Sequence, residues 1–165
     1  MIRYLIAMSR EAEMFKKYSD VSEEQIDVIG INAADLDADK YTENDILVNI
    51  GYAGGYKIPV GTLIEPSFAL DILTWEAVRI DAVFPIDHRI CLTSNTFIEE
   101  PLCDGPSIYD MELFKIAQVP HDKLYSIKIV SDNLSEKDCE EFNGKAAWAM
   151  AAEYIKKYVK KQFEE

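Results

Sequence analysis

Short apolar runs alternate along the chain with stretches whose apolar residues recur at helical spacing. A short apolar run between turn signals predicts a buried strand, and apolar residues on one face of a longer stretch predict a helix. Strands are predicted at residues 2–8, 26–31, 45–50, 60–66, 81–84, 89–93 and 124–130. Helices are predicted at residues 9–18, 112–119 and, as one long terminal helix, 135–163. Strands that alternate with helices predict a three-layer α/β domain.

The other segments carry fewer signals. Residues 33–44 predict an exposed loop or a poor helix, residues 68–80 a connector with some helix, and residues 99–107 a loop. Ser9 is in a position to cap the first helix. The terminal helix is expected to face the core with Phe142, Ala146, Ala149, Met150, Tyr154 and Tyr158. No internal repeat or linker is visible, so the 165 residues are expected to form one domain.

Acidic residues stand where predicted helices begin and predicted strands end. Glu11 falls in the first turn of the first helix, Glu112 opens the second helix, and Asp132 follows the strand at 124–130. If that strand is parallel in the sheet, its carboxyl end and the start of a helix after another such strand share one edge. Ligands bind at that edge in open α/β sheets. Glu112 and Asp132 are therefore expected to face one cleft.

Each acid also has a purely structural interpretation. Glu11 could complement the helix dipole, and Glu13 is a rival for any role given to Glu11. Glu112 has the same alternative, and Asp132 could cap the helix that begins near Ser135. These alternatives stay open from the pattern alone.

A glycine-rich segment follows the strand at residues 45–50. Gly51, Gly54 and Gly55 predict a turn in which the backbone approaches another group closely or takes a positive φ. The alternative is that Gly54 and Gly55 only shape the turn. The segment is neither a Walker loop, since no Gly-Lys-Ser/Thr follows, nor a GxGxxG motif.

Charge and cysteine usage exclude several classes of protein. The net charge of −13 argues against nucleic acid as a partner, because phosphate binding depends on clustered Lys and Arg. Cys91, Cys103 and Cys139 are odd in number and lack CxxC spacing, which favours reduced thiols over disulfides or a zinc site. No signal peptide and no apolar run of membrane-spanning length is visible. A cytoplasmic protein without a membrane partner is expected.

Four short motifs in order resemble those of a known family. AMSRE at residues 7–11, NIGYAGG at 49–55 with Val60-Gly61 following, DME at 110–112 and VSD at 130–132 resemble the purine nucleoside phosphorylase and methylthioadenosine/adenosylhomocysteine nucleosidase superfamily. The ordered set is more specific than any fragment. The resemblance implies a phosphorylase/hydrolase-like αβα fold with a central mixed sheet, in a compact and divergent member of the superfamily.

The resemblance implies cleavage of an N-ribosidic bond of a purine nucleoside or 5′-thio-nucleoside. Glu11 matches the carboxylate that helps activate the attacking water, and Glu112 matches the one that binds the ribose hydroxyls. Asp132 matches the acid that hydrogen-bonds the purine and protonates the leaving base. The matching substrate-binding positions are Met8, Tyr52, Gly54, Phe97, Ile98, Met111 and Ser131, with Phe97 and Ile98 at the base and Met111 at the sugar.

The chemistry required for such a cleavage agrees with these assignments. The transition state resembles an oxocarbenium ion, which a carboxylate near the sugar stabilises. A purine leaves poorly as an anion, so an acid that protonates it lowers the barrier. No metal or organic cofactor is needed.

Two further points refine the expectation. Tyr52 stands where the family commonly has Ser or Thr, and its ring could fill the space in which a phosphate or the water nucleophile would sit. No phosphate-binding pair is found among Arg3, Arg10, Arg79 and Arg89, so hydrolysis is favoured over phosphorolysis. The alternatives are a nucleoside phosphorylase, or a catalytically altered or inactive relative that binds a nucleoside. The resemblance also implies a homo-oligomer, with a dimer favoured.

Overall fold

A mixed sheet of eight strands organises residues 1–163, the part of the chain that the computed structural model describes. The strands are β1 (Ile2–Ile6), β2 (Ile26–Val28), β3 (Ile46–Tyr56), β4 (Leu63–Asp71), β5 (Ala77–Arg79), β6 (Asp87–Thr93), β7 (Ser107–Asp110) and β8 (Lys123–Asp132). The helices are α1 (Ser9–Tyr18), α2 (Leu113–Ile116), α3 (Glu136–Glu141), α4 (Lys145–Ile155) and α5 (Lys161–Phe163), with a π-helical turn at Lys156–Lys160.

The strands follow the order β2-β1-β3-β7-β6-β4-β5, and β8 pairs with both β3 and β4. Strands β1, β2, β3 and β8 are mutually parallel where they pair. Strand β7 runs antiparallel to β3, and β4 runs antiparallel to β8. The sheet is therefore mixed, and β8 is buried along nearly its whole length.

The core lies on both faces of the sheet because alternate residues of a strand point to opposite sides. In β1, Tyr4 and Ile6 pack with α1 and α4 on one face, and Leu5 packs with Leu113 and Ile116 of α2 on the other. The predicted α/β fold with a central mixed sheet is confirmed.

The glycine segment forms part of a strand, and the predicted turn at this place is wrong. Strand β3 runs through Gly54 and Gly55 to Tyr56, with one register shift after Ala53. A Cβ on Gly55 would lie only 2.6 Å from Val130 Cγ1. The glycines therefore allow the close approach of β3 to β8, and neither of these two takes a positive φ.

Several predicted boundaries are also wrong. Residues 68–80 contain no helix, since they form the end of β4 and the antiparallel strand β5. Residues 81–84 are not a strand, and a strand at 107–110 was missed. The second helix is only one turn, Leu113–Ile116. Ser9 does not cap α1, because Met8 occupies the N-cap position.

The long terminal helix predicted for residues 135–163 is interrupted. Phe142 is extended, and Gly144 has a φ of 63°, a left-handed conformation that favours glycine. Of the predicted core positions, Ala146, Ala149 and Met150 are exposed, whereas Phe142, Tyr154 and Tyr158 are partly buried against the core. The buried positions of α4 are instead Ala147, Trp148, Ala151, Ala152 and Ile155.

No helix within residues 1–163 combines the length and the apolar character that crossing a membrane requires.

Trp148 is the largest fully buried side chain on the α1 and α4 face. The Trp148→Ala variant is expected to lower the free energy of unfolding by about 3–5 kcal/mol, because it leaves a large cavity. Trp75 is 63% exposed, and the Trp75→Ala control is expected to stay within about 0.5 kcal/mol of the parent. Urea denaturation of both variants compares the two, and equal losses would contradict the burial of Trp148.

Candidate active site

A cavity of about 570 Å³ opens where β1, β3, β7 and β8 end. Nine of the ten residues that the sequence motifs nominated line it: Met8, Glu11, Tyr52, Gly54, Phe97, Met111, Glu112, Ser131 and Asp132. The tenth, Ile98, lines only a small adjoining pocket of about 20 Å³ that shares Phe97 and Met111. The fold thus brings residues distant in sequence to one cavity.

The acids converge for a different reason from the one that the sequence suggested. Strand β8 is parallel to β3, but β7, which precedes Glu112, is antiparallel to β3. Gly54 of β3 pairs with Tyr109 on one side and Asp132 on the other. The ends of β7 and β8 therefore meet across Gly54, and a Cβ there would lie 3.2 Å from Asp132 Oδ1.

The Glu11 carboxylate is buried and held at both oxygens. The Met8 N–H donates to Oε1 at 3.1 Å, and the Tyr52 N–H donates to Oε2 at 2.7 Å. Burial raises the pKa of Glu11, although these hydrogen bonds and the nearby Lys128 oppose the rise. Glu11 is 1% exposed, which makes it an oriented carboxylate at the cavity wall with little access to bulk water.

Glu112 is buried between the cavity and a loop on its rim. Its Oε2 accepts a hydrogen bond of 2.9 Å from the N–H of Asn32, whose φ is 62°. Ile31 of the same loop lines the cavity. Burial, reinforced by the negative charge of Asp110, raises the pKa of Glu112 to about 7. Glu112 therefore gains or loses its charge near neutral pH, and a carboxyl pKa shifted in this way is typical of functional sites.

Asp132 is fixed by its neighbours at the end of β8. Its Oδ1 accepts the N–H groups of Leu134 and Ser135 at 2.9 and 3.2 Å, which orders the turn before α3. Asp132 does not cap α3, because Ser135 is the N-cap and its hydroxyl accepts the Asp138 N–H at 3.3 Å. The Ser131 hydroxyl donates to Oδ2 at 2.8 Å and also lies 3.4 Å from Cys139 Sγ. Oδ1 is thus occupied by backbone N–H groups, and Oδ2 is oriented at the cavity by the Ser131 hydroxyl alone.

Tyr52 lines the cavity with its ring but directs its hydroxyl into the core. The hydroxyl accepts the Trp148 indole N–H at 3.0 Å, and the Arg10 guanidinium lies 5.4 Å from the ring centre. Arg10 also donates to the carbonyls of Cys139 and Glu140 at 3.3 and 3.0 Å. The arginine at the cavity therefore joins α1 to α3.

Sequence reasoning missed a buried ion pair at the cavity wall, in which Asp110 lines the cavity and Lys128 does not. Lys128 Nζ lies 2.9 Å from Asp110 Oδ2, and neither side chain is exposed by more than 1%. The signal was present, since a lysine within an otherwise apolar buried strand requires a buried acid as its partner. Other lining residues without a sequence signal include Ile31, Glu99, Tyr109, Glu136, Cys139 and Glu140.

Neither a protein-family model nor a curated protein matches the sequence. Solved structures do match. A variant of the MTAN of Chlamydia trachomatis bound to MTA is 16% identical, with a TM-score of 0.74 over 93% of this chain and 94% of that one. The 5′-methylthioadenosine nucleosidase of Arabidopsis thaliana is 12% identical, with a TM-score of 0.69 over 99% and 96%.

A third neighbour is the 5′-methylthioadenosine/S-adenosylhomocysteine nucleosidase of Neisseria meningitidis in complex with methylthio-immucillin-A. It is 18% identical, with a TM-score of 0.69 over 94% of this chain and 98% of that one. The similarity extends over nearly the full length of all three neighbours, and at these identities it concerns the fold. The chain has the fold of the methylthioadenosine/S-adenosylhomocysteine nucleosidases, as its motifs predicted.

Proposed function

We propose that the protein hydrolyses the N-ribosyl bond of a purine nucleoside or a 5′-thio-nucleoside. The observation that carries this proposal is the convergence of Glu11, Glu112 and Asp132 on one cavity, each from a different element and with different partners. Neighbours of the same fold were solved with MTA, adenine and methylthio-immucillin-A. The cavity volume lies within the range of small-molecule sites.

The sugar is assigned to Glu112 and Met111. In its ionised form, Glu112 accepts hydrogen bonds from ribose hydroxyls and stabilises the positive charge that develops as the bond to the anomeric carbon breaks. The Asn32 N–H already occupies one lone pair of Oε2, which restricts the direction of the carboxylate. Met111 lines the cavity beside it and supplies an apolar contact.

The base is assigned to Asp132 and Phe97. Asp132, when protonated, delivers its proton to a ring nitrogen of the purine, so that the base leaves neutral. Oδ2 is the oxygen assigned to this step, because two N–H groups hold Oδ1. Phe97 provides a ring against which a base can stack.

The attacking water is assigned to Glu11. A carboxylate that burial makes more basic is suited to accept a proton from water as the water bonds to the anomeric carbon. Hydrolysis is favoured over phosphorolysis, because among residues 1–163 Arg10 is the one cationic residue in the lining, and it already donates to two α3 carbonyls. Phosphorolysis would require a tight anion site.

The test is incubation of the purified protein with methylthioadenosine, adenosylhomocysteine, adenosine and inosine, with and without phosphate, followed by chromatography of the free base. Release of base without phosphate is the expected result. Release that requires phosphate would favour a phosphorylase. No release from any of the four, together with measurable binding of adenine or a nucleoside, would favour a non-catalytic binding protein.

The value of kcat/KM is expected to rise with pH through about 7, the pKa of Glu112. Below that pH the carboxyl is protonated, accepts fewer hydrogen bonds from ribose and no longer stabilises a cationic sugar. The value of kcat/KM is therefore expected to fall about tenfold for each pH unit below the pKa of Glu112. A pH profile from 5 to 9 measures it, and the Glu112→Gln variant should lack this limb. A profile that is flat between pH 5 and 8 would contradict the role of Glu112.

Two expectations about organisation also remain proposals. We propose a single domain and a homodimer. Sedimentation velocity of the purified chain measures the assembly, and a single cooperative unfolding transition is the outcome that one domain requires.

A further inference from the structure

The buried pair of Lys128 and Asp110 has no part in the reaction as described above. Lys128 lies in the middle of β8, and its Nζ is 2.9 Å from Asp110 Oδ2. Apolar residues of similar volume usually serve a core at least as well as a buried ion pair. A buried pair whose acid, Asp110, lines a ligand cavity therefore calls for an explanation beyond stability.

Asp110 links this pair to the backbone of the sugar-side carboxylate. Its Oδ2 accepts the N–H of Leu113 at 2.8 Å and that of Glu112 at 3.3 Å. Its Oδ1 accepts the Thr93 hydroxyl at 2.6 Å. Asp110 therefore fixes the start of α2 and holds a negative charge close to Glu112.

Lys128 also approaches the water-side carboxylate. A Cβ on Gly51 would lie 3.1 Å from Glu11 Oε2 and 3.6 Å from Lys128 Nζ. Both groups therefore lie around the small space that the missing side chain of Gly51 leaves. The charged groups facing Glu112 are Asp110 from β7, Lys128 from β8 and Glu11 from α1, and Cys91 of β6 also faces Lys128.

We propose that Lys128 and Asp110 are positioning residues that together set the protonation state of Glu112 in the cavity. One buried cation lies among three buried carboxylates, so the charge of Glu112 depends on how Lys128 and Asp110 balance each other. Neither residue needs to contact the substrate for this role. The role in catalysis rests on the proposed function, but the electrostatic coupling can be measured without it.

The two members of the pair act on Glu112 in opposite directions. After burial, Asp110 is the largest influence that raises the pKa of Glu112, and Lys128 is the next and lowers it. Burial acts to raise the pKa of Asp110 as well, but Lys128, together with the hydrogen bonds from the Thr93 hydroxyl and the Leu113 N–H, holds that pKa below its ordinary value. Opposite shifts on removal of the two charges would be difficult to obtain from a purely structural role.

The experiment follows the carboxyl carbon of Glu112 by NMR in protein labelled with ¹³C-glutamate, assigned with the Glu112→Gln variant. Lys128→Met is expected to move the Glu112 titration upward, and Asp110→Asn to move it downward, each by about one pH unit, or tenfold in ionisation. The acid limb of kcat/KM should move by the same amounts. Shifts in one direction for both variants, or none, would overturn the proposal.

Lys128→Met leaves the buried Asp110 without its cation, which is strongly destabilising, so a second variant is needed. The double variant Lys128→Met/Asp110→Asn removes both charges. Its Glu112 titration is expected below that of the parent, because Asp110 has the larger influence; a folded double variant that titrates at or above the parent contradicts the proposal. Lys123→Met is the matched control, since Lys123 begins the same strand, is 45% exposed and should leave the Glu112 titration in place.

The readouts separate this inference from the proposed function. If the parent cleaves no nucleoside, the proposed function fails, while the NMR titration still decides whether the pair controls Glu112. If the parent cleaves nucleosides and the titration does not respond to either charge, the inference fails alone.

Discussion

The Asp132→Asn variant is expected to lose about 10²- to 10⁴-fold in kcat, the usual contribution of a general acid. Asparagine is nearly isosteric, and its amide oxygen can still accept the N–H groups of Leu134 and Ser135 that hold Oδ1. It has no acidic proton to deliver to the leaving purine. The loss should therefore fall on kcat, with a small effect on KM and on the thermal midpoint.

Two comparisons sharpen this experiment. Asp138→Asn is the matched control, because Asp138 is exposed on α3 and should retain the parent rate. A nucleoside analogue whose leaving group needs no protonation, such as a nitrophenyl riboside, should lose much less rate in the Asp132 variant than a purine nucleoside does. An Asp132→Asn protein that cleaves purine nucleosides at the parent rate would remove Asp132 as the acid.

The Glu11→Gln variant is expected to lose roughly 10²- to 10⁴-fold in kcat, because the attacking water would no longer have a base. The side-chain amide can accept only one of the two hydrogen bonds that Met8 and Tyr52 now donate. The loss of the other costs about 1 kcal/mol or somewhat more in stability. Circular dichroism and denaturation must therefore accompany the kinetics.

The control for Glu11 lies two residues away on the same helix. Glu13 is exposed, and Glu13→Gln should retain both activity and stability. An equal loss in the two variants would point to the charge of α1 as a whole. A Glu11→Gln protein that binds the substrate normally but does not hydrolyse it would agree with the proposal, whereas full activity would falsify the role of Glu11.

Local sequence patterns were sufficient to predict the helices and strands that do not depend on contacts with distant residues. The amphipathic stretch at residues 9–18 forms α1 with the predicted bounds, and the apolar run around 124–130 forms β8. Periodicity and strand length are properties of neighbouring residues, so they can be seen in the sequence. The ordered motifs likewise predicted the nucleosidase fold.

Where the chain depends on contacts far away in sequence, prediction failed. The apolar run at residues 81–84 resembled a strand, but it forms an irregular segment whose Val83 and Phe84 N–H groups are satisfied by the buried Glu65 carboxylate. The segment at 107–110 became a strand because β3 and β6 lie on either side of it. Whether such a short run forms a strand or an irregular segment depends on the strands available to pair with it. The local sequence does not reveal those partners.

The sequence by itself determined the α/β class, the first helix, the central strand and nine of the residues that line the cavity. Only the tertiary structure decided how those residues meet: β3 passes between β7 and β8 and brings Glu112 and Asp132 together across Gly54, although β7 runs antiparallel to β3. It also decided that Lys128 pairs with Asp110 at the cavity wall. Periodicity acts between neighbouring residues, whereas strand direction and the pairing of buried charges are set by the packing of the whole chain.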